Sequence, residues 1–257
     1  MGLMNVIVCV KQIPDPALPG ELDADNTLKR DGKLILDESD SYGVEMALQL
    51  VNTAGEGSVT LVSMAPNDEV SGLRTALAMG AEKAVLVSDP VLAGADALTT
   101  AKVLAGAVGK AGDYDLIIAG TESSDGYTGT VPEQMAEVLG LPSVGFAKTI
   151  AVDGSTVRVD RQTEAGYDEV SCSLPAVVSV TAGVVEPRYP SFKGIMAAKS
   201  KPVETVTAAD LGVESVSWAQ SISSVEDAPA REAGEIIEDD GETFNKIVDF
   251  LDNLKVT

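Results

Sequence analysis

The stretch DLIIAGTESSDGYTGTVPEQMAEVLG, residues 115–140, combines the three parts of an α/β unit. It opens with a nearly continuous apolar run at 115–119, which predicts a strand buried on both faces of a sheet. A loop rich in Gly and small hydroxyl residues follows, and residues 131–140 then carry apolar side chains at helical spacing before a Gly. The stretch therefore predicts a strand, a loop and a helix in succession.

The same alternation extends over most of the chain. Further apolar runs predict buried strands at 5–10, 58–63, 84–87 and 176–180, and helical periodicity lies between them at 44–52, 69–80 and 98–112. This order predicts an α/β fold with a doubly wound, mostly parallel sheet and right-handed crossovers. Residues 150–159 differ, because Asp153-Gly154 between two short β-branched runs is typical of an antiparallel hairpin, expected at the sheet edge.

The composition argues against several classes of protein. The 257 residues include 18 Lys+Arg and 40 Asp+Glu, a net charge of −22, and a nucleic-acid binder needs a basic face. The chain has no His, which removes Ser-His-Asp catalysis and His-ligated metal or haem sites. Cys9 and Cys172 lie in strand-like runs and indicate neither a disulfide framework nor a metal site.

The acidity has two interpretations, a field that steers a basic partner or a surface adapted to concentrated salt. The second is favoured because the acids are spread along the whole chain. No run reaches about 18 apolar residues, so we expect no direct membrane insertion. The first residues resemble no targeting segment, and we expect a cytoplasmic protein.

Beyond Lys201 the composition becomes acidic and small, and no further strong strand is expected. We therefore expect an α/β domain over residues 1–200 and an extended C-terminal arm over 201–257. The arm ends in a predicted helix with one apolar stripe, formed by Phe244, Ile247, Val248, Leu251 and Leu254. Either the chain's own core or a partner subunit must cover that stripe.

In open α/β sheets ligands bind beyond the carboxyl ends of the strands. Three strand ends are candidates, at 9–15, 63–66 and 118–132. The third is the strongest, because a Gly-rich loop before a helix N-terminus can bind a phosphate through backbone N–H groups. A plain connection capped by Thr128 or Thr130 is the alternative. Since no catalytic motif accompanies the loop, a module that binds a nucleotide is favoured over an enzyme.

A second candidate surface lies in residues 186–199, where bases are concentrated against the acidic trend of the chain. Apolar side chains stand between prolines and lysines there, at Tyr189, Phe192, Ile195 and Met196. Apolar anchors with a charged rim are typical of a docking loop. The alternative is a connector whose apolar side chains pack under the sheet.

Several of these segments together resemble one known family. The motif VKQIPD at 10–15, RTALAMGA at 74–81, the loop at 120–132, LPAVV at 174–178 and the stretch at 187–199 are similar to the β subunit of electron-transfer flavoproteins. They cover about the first 200 residues in the family's order. The C-terminal extension also resembles the arm with which these β subunits embrace the α subunit.

The resemblance implies an electron carrier rather than an enzyme. It implies a heterodimer with FAD held mainly by the α subunit, and with AMP or, in electron-bifurcating relatives, a second FAD on the β subunit. Electrons would come from donor dehydrogenases and pass to an acceptor such as a membrane quinone reductase. The remaining alternative is a free-standing nucleotide-binding protein of the universal-stress type.

The resemblance also assigns residues. Cys9, Asp37 and Met64 fall where the family lines its adenosine pocket, and Phe192 falls at its anchor for dehydrogenases. The family's phosphate cradle corresponds to Asp125, Gly126, Gly129, Thr130 and Val131. Since many members carry bulky polar residues at the last three positions, backbone N–H groups would take over those phosphate contacts here. The pattern Asp125-Gly126-x-Thr128 with Val131 is similar to the bifurcating group, so AMP and a second FAD both stay open.

Overall fold

A computed structural model describes residues 2–213, 219–226, 228–230, 234 and 236–255. Strands and helices alternate along most of this chain, as the periodicity predicts. The strands are β1 (Met4–Cys9), β2 (Gln12–Pro14), β3 (Leu34–Leu36), β4 (Gly57–Ala65), β5 (Lys83–Ser88), β6 (Leu116–Gly120), β7 (Ser143–Asp153), β8 (Thr156–Thr163), β9 (Gly166–Ser173), β10 (Ala176–Val180) and β11 (Val203–Val206). The helices are α1 (Glu38–Ala54), α2 (Ser71–Met79), α3 (Ala97–Ala111), α4 (Val131–Leu139), α5 (Phe192–Ala198) and α6 (Thr243–Asn253).

Nine of these strands form one sheet in the order β11-β5-β4-β1-β6-β10-β7-β8-β9. The pairings from β11 across to β7 are parallel, and β8 and β9 are added antiparallel. Strands β2 and β3 form a separate antiparallel pair. The predicted α/β fold with a mostly parallel sheet is confirmed.

The central strands are largely apolar because both faces of the sheet are covered. In β1, Val6 and Val8 join a core layer that includes residues of α1 and α2. Ile7 points the other way and joins a second layer with residues of α3 and α4. Alternate residues of a strand face opposite sides, so a strand between two helical layers has no polar face. The helices therefore lie on both faces, which is the doubly wound arrangement.

The predicted hairpin is also confirmed. Strands β7 and β8 pair antiparallel, with Asp153 opposite Thr156, and Gly154 takes a φ of +59° in the turn. Glycine adopts this region without steric cost, so an Asp-Gly turn matches the twist of the strands. Strand β9 continues the antiparallel edge, and most of its residues are exposed.

Several elements differ from the sequence prediction, and the short strands β2 and β3 are among those not predicted. Helix α1 begins at Glu38, six residues before the predicted segment, because Asp37 caps a first turn that is polar and carries no periodic signal. No further strong strand is predicted after Lys201, and the structure adds a short one, β11, which pairs with β5 at the sheet edge. An edge strand needs little apolar material, and only Val206 of β11 is buried. The expected docking loop contains the helix α5.

The chain divides into two compact units, residues 1–223 and 224–257, whereas the sequence placed a boundary near residue 200. The second unit contains α6, as its apolar stripe predicts, and Phe244, Ile247, Val248 and Leu254 are exposed. Residues 214–218, 227, 231–233, 235 and 256–257 of the expected arm lie outside the described residues. None of the helices in the described part combines the length and apolar character needed to cross a membrane.

Candidate functional site

A cleft of about 1430 Å³ opens at the carboxyl ends of β1, β4 and β6. The chain places β4 and β5 on one side of β1, and β6 and β10 on the other, so the strand order reverses beside β1. Loops diverge at such a switch point and leave a crevice there. Residues 9–12, 64–67 and 119–123 line the cleft, so the three strand ends selected from the sequence meet in it.

Cys9 and Met64 lie on the wall of this cleft. Cys9 is 7% exposed, and its thiol donates to the sulfur of Met135 at 3.8 Å. Burial, followed by the charge of Asp40, raises the pKa of the Cys9 thiol to about 12. The thiol therefore stays protonated at neutral pH and forms an apolar wall rather than a nucleophile.

The loop between β6 and α4 is fixed at several points. Thr121 donates through its backbone N–H, at 3.1 Å, and its hydroxyl, at 3.0 Å, to the carbonyl of Val180. Ser124 donates through its N–H and its hydroxyl to Asp37, at 2.7 and 3.1 Å. These contacts hold the first half of the loop against β10 and α1, and Gly126, Gly129 and Val131 of its second half line the cleft.

Thr130 occupies the N-cap position of α4, but its side chain makes no capping hydrogen bond. Its hydroxyl instead accepts from the amide of Gln134 at 3.3 Å, and Thr130 faces a smaller neighbouring cavity. Pro132 stands in the first turn, where its missing N–H costs nothing. The positive end of α4 therefore has no side-chain cap, which argues against a plain connection capped by Thr128 or Thr130.

Asp125 joins three segments around the cleft. Its side chain is 7% exposed, and it pairs with Lys11 at 2.6 Å and with Arg30. Burial alone would raise the pKa of Asp125, but the charges and hydrogen bonds of Lys11 and Arg30 hold it below its ordinary value. Both cations also line the cleft. The group of Lys11, Arg30 and Asp125 therefore carries one net positive charge, and the cleft is also lined by Lys29 and by the acidic residues Asp23, Asp25, Asp31, Asp96 and Glu122.

Asp37 lies beneath the loop rather than on the wall of the cleft. It is fully buried, and one carboxylate oxygen caps α1 by accepting from the N–H and the hydroxyl of Ser39, at 3.1 and 2.6 Å. The other oxygen accepts from Ser124 of the loop. The carboxylate therefore connects the start of α1 to the β6–α4 loop.

Replacing Asp37 by alanine is expected to lower the free energy of unfolding by about 2 kcal/mol, because a helix cap and two loop contacts are lost together. Denaturation by urea measures the effect. Asp37→Asn is the matched control, since the amide keeps one acceptor for the cap and is expected to lose about half as much. An alanine variant as stable as the wild type would show that the cap and the loop contacts contribute nothing.

Asp40 is a cleft residue that the sequence analysis missed. It is 7% exposed and accepts from the backbone N–H of Lys11 at 2.6 Å. Burial raises its pKa to about 8, and the charge of Asp37 adds to the rise, while the N–H groups of Lys11 and Gly120 oppose it. The signal that could have found it is the polar run 37–41 after an apolar strand, which is unusual for the start of a buried helix.

The second candidate surface, residues 186–199, contains the helix α5. Tyr189 is 93% exposed and Phe192 is 81% exposed, and Ile195 and Met196 are about half exposed. The connector alternative required these side chains to pack under the sheet, and they do not. The segment therefore presents an apolar patch at the protein surface.

Among the described residues, no group of three or more Cys, Asp or Glu side chains is placed to hold a metal ion. The pattern that defines the electron transfer flavoprotein domain matches residues 25–211. The chain is 41% identical to the electron transfer flavoprotein subunit beta of Mycobacterium tuberculosis, over 97% of this chain and 98% of that protein.

Other similar proteins carry the same name. The subunit beta of Mycobacterium leprae is 42% identical over the same shares of the two chains. That of Thermoanaerobacterium thermosaccharolyticum is 37% identical over 82% of this chain and 81% of its own length. These similarities show that the chain, with its cleft at the sheet's switch point, belongs to the family of electron transfer flavoprotein β subunits.

Proposed function

We propose that this chain pairs with an α subunit to form an electron carrier, holds AMP or a second FAD in its cleft, and docks donor dehydrogenases through α5. The family is one of electron carriers rather than enzymes, and a β subunit implies an α partner. FAD, held mainly by the α subunit, supplies the redox chemistry. This chain contributes the nucleotide site, the docking surface and part of the interface.

The observation that carries the proposal is the uncapped start of α4 at the edge of the cleft. Gly126 and Gly129 have no side chains to fill the space in front of it. The backbone N–H groups of a helix start and its positive dipole end favour a phosphate. A volume of about 1430 Å³ accommodates a nucleotide, and the apolar wall at Cys9 and Met64 suits an adenine ring.

The charges around the cleft support a phosphate ligand. Lys11 and Arg30 share one carboxylate, that of Asp125, so the group carries a net positive charge. Asp40 would oppose a phosphate if it were ionised, but its raised pKa keeps most of it neutral at pH 7. Glu122 also lines the cleft, and its carboxylate lies 3.3 Å from where a Cβ of Gly129 would stand, so it must turn away from a bound phosphate.

Extraction of the purified complex with acid tests this proposal. The chain is produced together with its α subunit, and the released nucleotides are separated by chromatography. We expect a yellow heterodimer that releases FAD together with AMP, or two FAD per heterodimer. One FAD without AMP would contradict the nucleotide site, and a colourless homodimer would favour a sensor of the universal-stress type.

Replacing Phe192 by alanine is expected to slow reduction of the heterodimer's flavin by a donor dehydrogenase by about tenfold or more. An aromatic side chain that becomes buried when the partner binds commonly dominates a docking interface. Stopped-flow absorbance of the flavin measures the rate. The flavin content should stay unchanged, since Phe192 is 81% exposed and remote in sequence from the cleft loops. An unchanged rate would show that α5 does not dock the donor.

The second unit is proposed as the arm that embraces the α subunit. Its helix α6 presents an exposed apolar stripe that needs a cover, and a partner subunit would supply one. The downstream acceptor, proposed as a second redox enzyme or a membrane quinone reductase, and the cytoplasmic location both stay predictions.

A further inference from the structure

Helix α5 cannot be held in place by its own packing. It has seven residues, and only Ala198 among them is buried. Isolated helices of two turns are unstable in water, and most helices in proteins are stabilised by an apolar face against the core. The apolar side chains of α5 point outward instead, at 81% exposure for Phe192 and about half for Ile195 and Met196. Other contacts must order this helix.

The first anchor precedes α5. Glu45, on α1, has a side chain that is only 5% exposed, and its carboxylate faces Arg188. Arg188 donates to it from Nε at 2.6 Å, from a terminal guanidinium nitrogen at 3.0 Å and from its backbone N–H at 3.3 Å. Burial would raise the pKa of Glu45, but the hydrogen bonds from Arg188 and Gln49 lower it below its ordinary value. The carboxylate is therefore charged at neutral pH and fixes both the side chain and the backbone of Arg188.

The second anchor follows α5 and joins it to α2. Arg74, on α2, donates to the carbonyl oxygens of Ala198 and Lys201, both at 2.7 Å. Lys201 donates back to the carbonyl oxygens of Leu77 and Ala81, at 2.9 and 2.7 Å. Arg74 thus satisfies carbonyl groups at the end of α5, and Lys201 satisfies carbonyl groups at the end of α2.

Between the anchors, α5 lies directly on α2. A Cβ at Gly194 would be 2.4 Å from the carbonyl oxygen of Ala78, so only a glycine permits this approach. Ser191 caps the helix by accepting from the N–H of Gly194 at 3.0 Å. The backbone of α5 is therefore held on three sides, while its apolar side chains stay free.

We propose that Glu45 and Arg74 are positioning residues for docking: the two anchors hold α5 ordered so that Tyr189 and Phe192 are presented to the donor before it binds. The inference rests on the proposed role of Phe192 in docking. A surface ordered in advance loses less conformational freedom on binding, and the apparent affinity falls in proportion to the fraction of molecules that are ordered. The anchors therefore set how much heterodimer is needed, not how fast electrons move once it is bound.

The variant Glu45→Gln in the complete heterodimer tests the first anchor. The probe is a flavoprotein dehydrogenase from the same cells that reduces the wild-type heterodimer, assayed over a range of heterodimer concentrations. We expect KM for the heterodimer to rise about fivefold or more while kcat stays within about twofold, because the ordered fraction falls and the docked geometry does not change. Hydrogen exchange of the amides at 188–199 should become about tenfold faster. Asp153→Asn, which removes an exposed ion pair with Arg158, is the control and should change neither quantity.

The variant Gly194→Ala tests the seat of α5 on α2 without removing a buried charge. Alanine is the better helix former, so an isolated α5 would gain stability. The methyl group would collide with Ala78, however, and α5 must move away, so KM should again rise about fivefold. Gly109→Ala in α3 is the matched control, because nothing lies within 4 Å of a Cβ there, and it should leave KM unchanged.

The outcomes distinguish the docking role of Phe192 from the positioning role of the two anchors. If Phe192→Ala has no effect on reduction by the donor, the docking role itself is wrong. If Phe192→Ala raises KM while Glu45→Gln and Gly194→Ala do not, docking stands and the positioning inference is overturned. A fall in kcat at unchanged KM in the anchor variants would also overturn it, since it would place the anchors in electron transfer rather than in presentation.

Discussion

Replacing Gly129 by valine is expected to weaken AMP binding by the heterodimer by about tenfold or more. Gly129 has a φ of +61°, a region in which a β-branched residue is a clear outlier. Holding valine there costs about 1–3 kcal/mol, and 1.4 kcal/mol corresponds to tenfold in affinity. A Cβ at this position would meet only the flexible carboxylate of Glu122, at 3.3 Å, so backbone strain and not a clash is the cause.

The loop is expected to release this strain by rotating its peptide groups. Residues 126–128, just before Gly129, are exposed, so no neighbouring core opposes the rotation. The peptide groups that lead into α4 would then take a different orientation, and the phosphate of the proposed ligand would lose N–H donors. Titration calorimetry with AMP on nucleotide-free heterodimer measures the affinity, and acid extraction measures the nucleotide retained through purification.

Gly140 offers a matched control at the other end of the same helix. Its φ is +67°, nearly that of Gly129, and nothing lies within 4 Å of a Cβ there. Gly140→Val should therefore lower the stability of the protein to a similar degree while leaving AMP affinity unchanged. Equal losses of affinity in both variants would show that general destabilisation is responsible, and an unaffected Gly129→Val would remove the loop from the nucleotide site.

The sheet and its helices could be predicted because both faces of the central strands are buried. A strand such as β10 is buried at every position and apolar at four of its five, and helices such as α3 carry a regular apolar face, so each type of element leaves its own pattern. The edge at which the cleft opens could also be predicted from the order of elements. A switch point requires only that successive strands are added first on one side of β1 and then on the other.

The elements that the sequence did not predict were missed for two physical reasons. Strands β2, β3 and β11 have three or four residues each, which is too short for a period to appear. Helix α5 has no apolar face toward the core, because polar anchors distant in sequence hold it. Local patterns report burial only over several residues, so short strands leave no pattern even where Ile13 and Leu34 are buried, and α5 leaves none because its large apolar side chains are exposed.

The site shows the same division. The Gly-rich loop and the apolar wall could be predicted, because a run of Gly residues and the end of a strand are recognised from neighbouring residues alone. Lys11 and Arg30 were not singled out, since their role depends on Asp125, which is about a hundred residues away in the chain. Asp37 was assigned to the adenosine pocket by resemblance, and it lies beneath the loop, where it supports the cleft from behind.

Asp40→Asn is expected to change how the stability of the protein depends on pH. Burial disfavours the charged form and raises the pKa of Asp40 from its ordinary value of 3.8 to about 8 in the folded protein. Between these values the folded state keeps a proton that the unfolded state has released. The free energy of unfolding of the wild type therefore falls as pH rises from about 4 to about 8, by about 1.4 kcal/mol per unit at most. The contribution is fully present below the lower value and is lost as pH passes the upper one.

An asparagine cannot titrate, so the difference in unfolding free energy, Asp40→Asn minus wild type, should grow by about 3 kcal/mol between pH 5 and pH 8. The amide oxygen accepts from the N–H of Lys11 as the protonated acid does. If the hydrogen bond from the N–H of Gly120 is lost, the resulting loss of stability is the same at both pH values. Urea denaturation of the heterodimer at the two pH values gives this difference, with the exposed Asp168→Asn as a control that should stay flat. A flat or shrinking difference for Asp40→Asn would mean that Asp40 is ionised throughout. The cleft would then present a negative charge to its ligand beside Lys11, and phosphate binding would need both cations to overcome it.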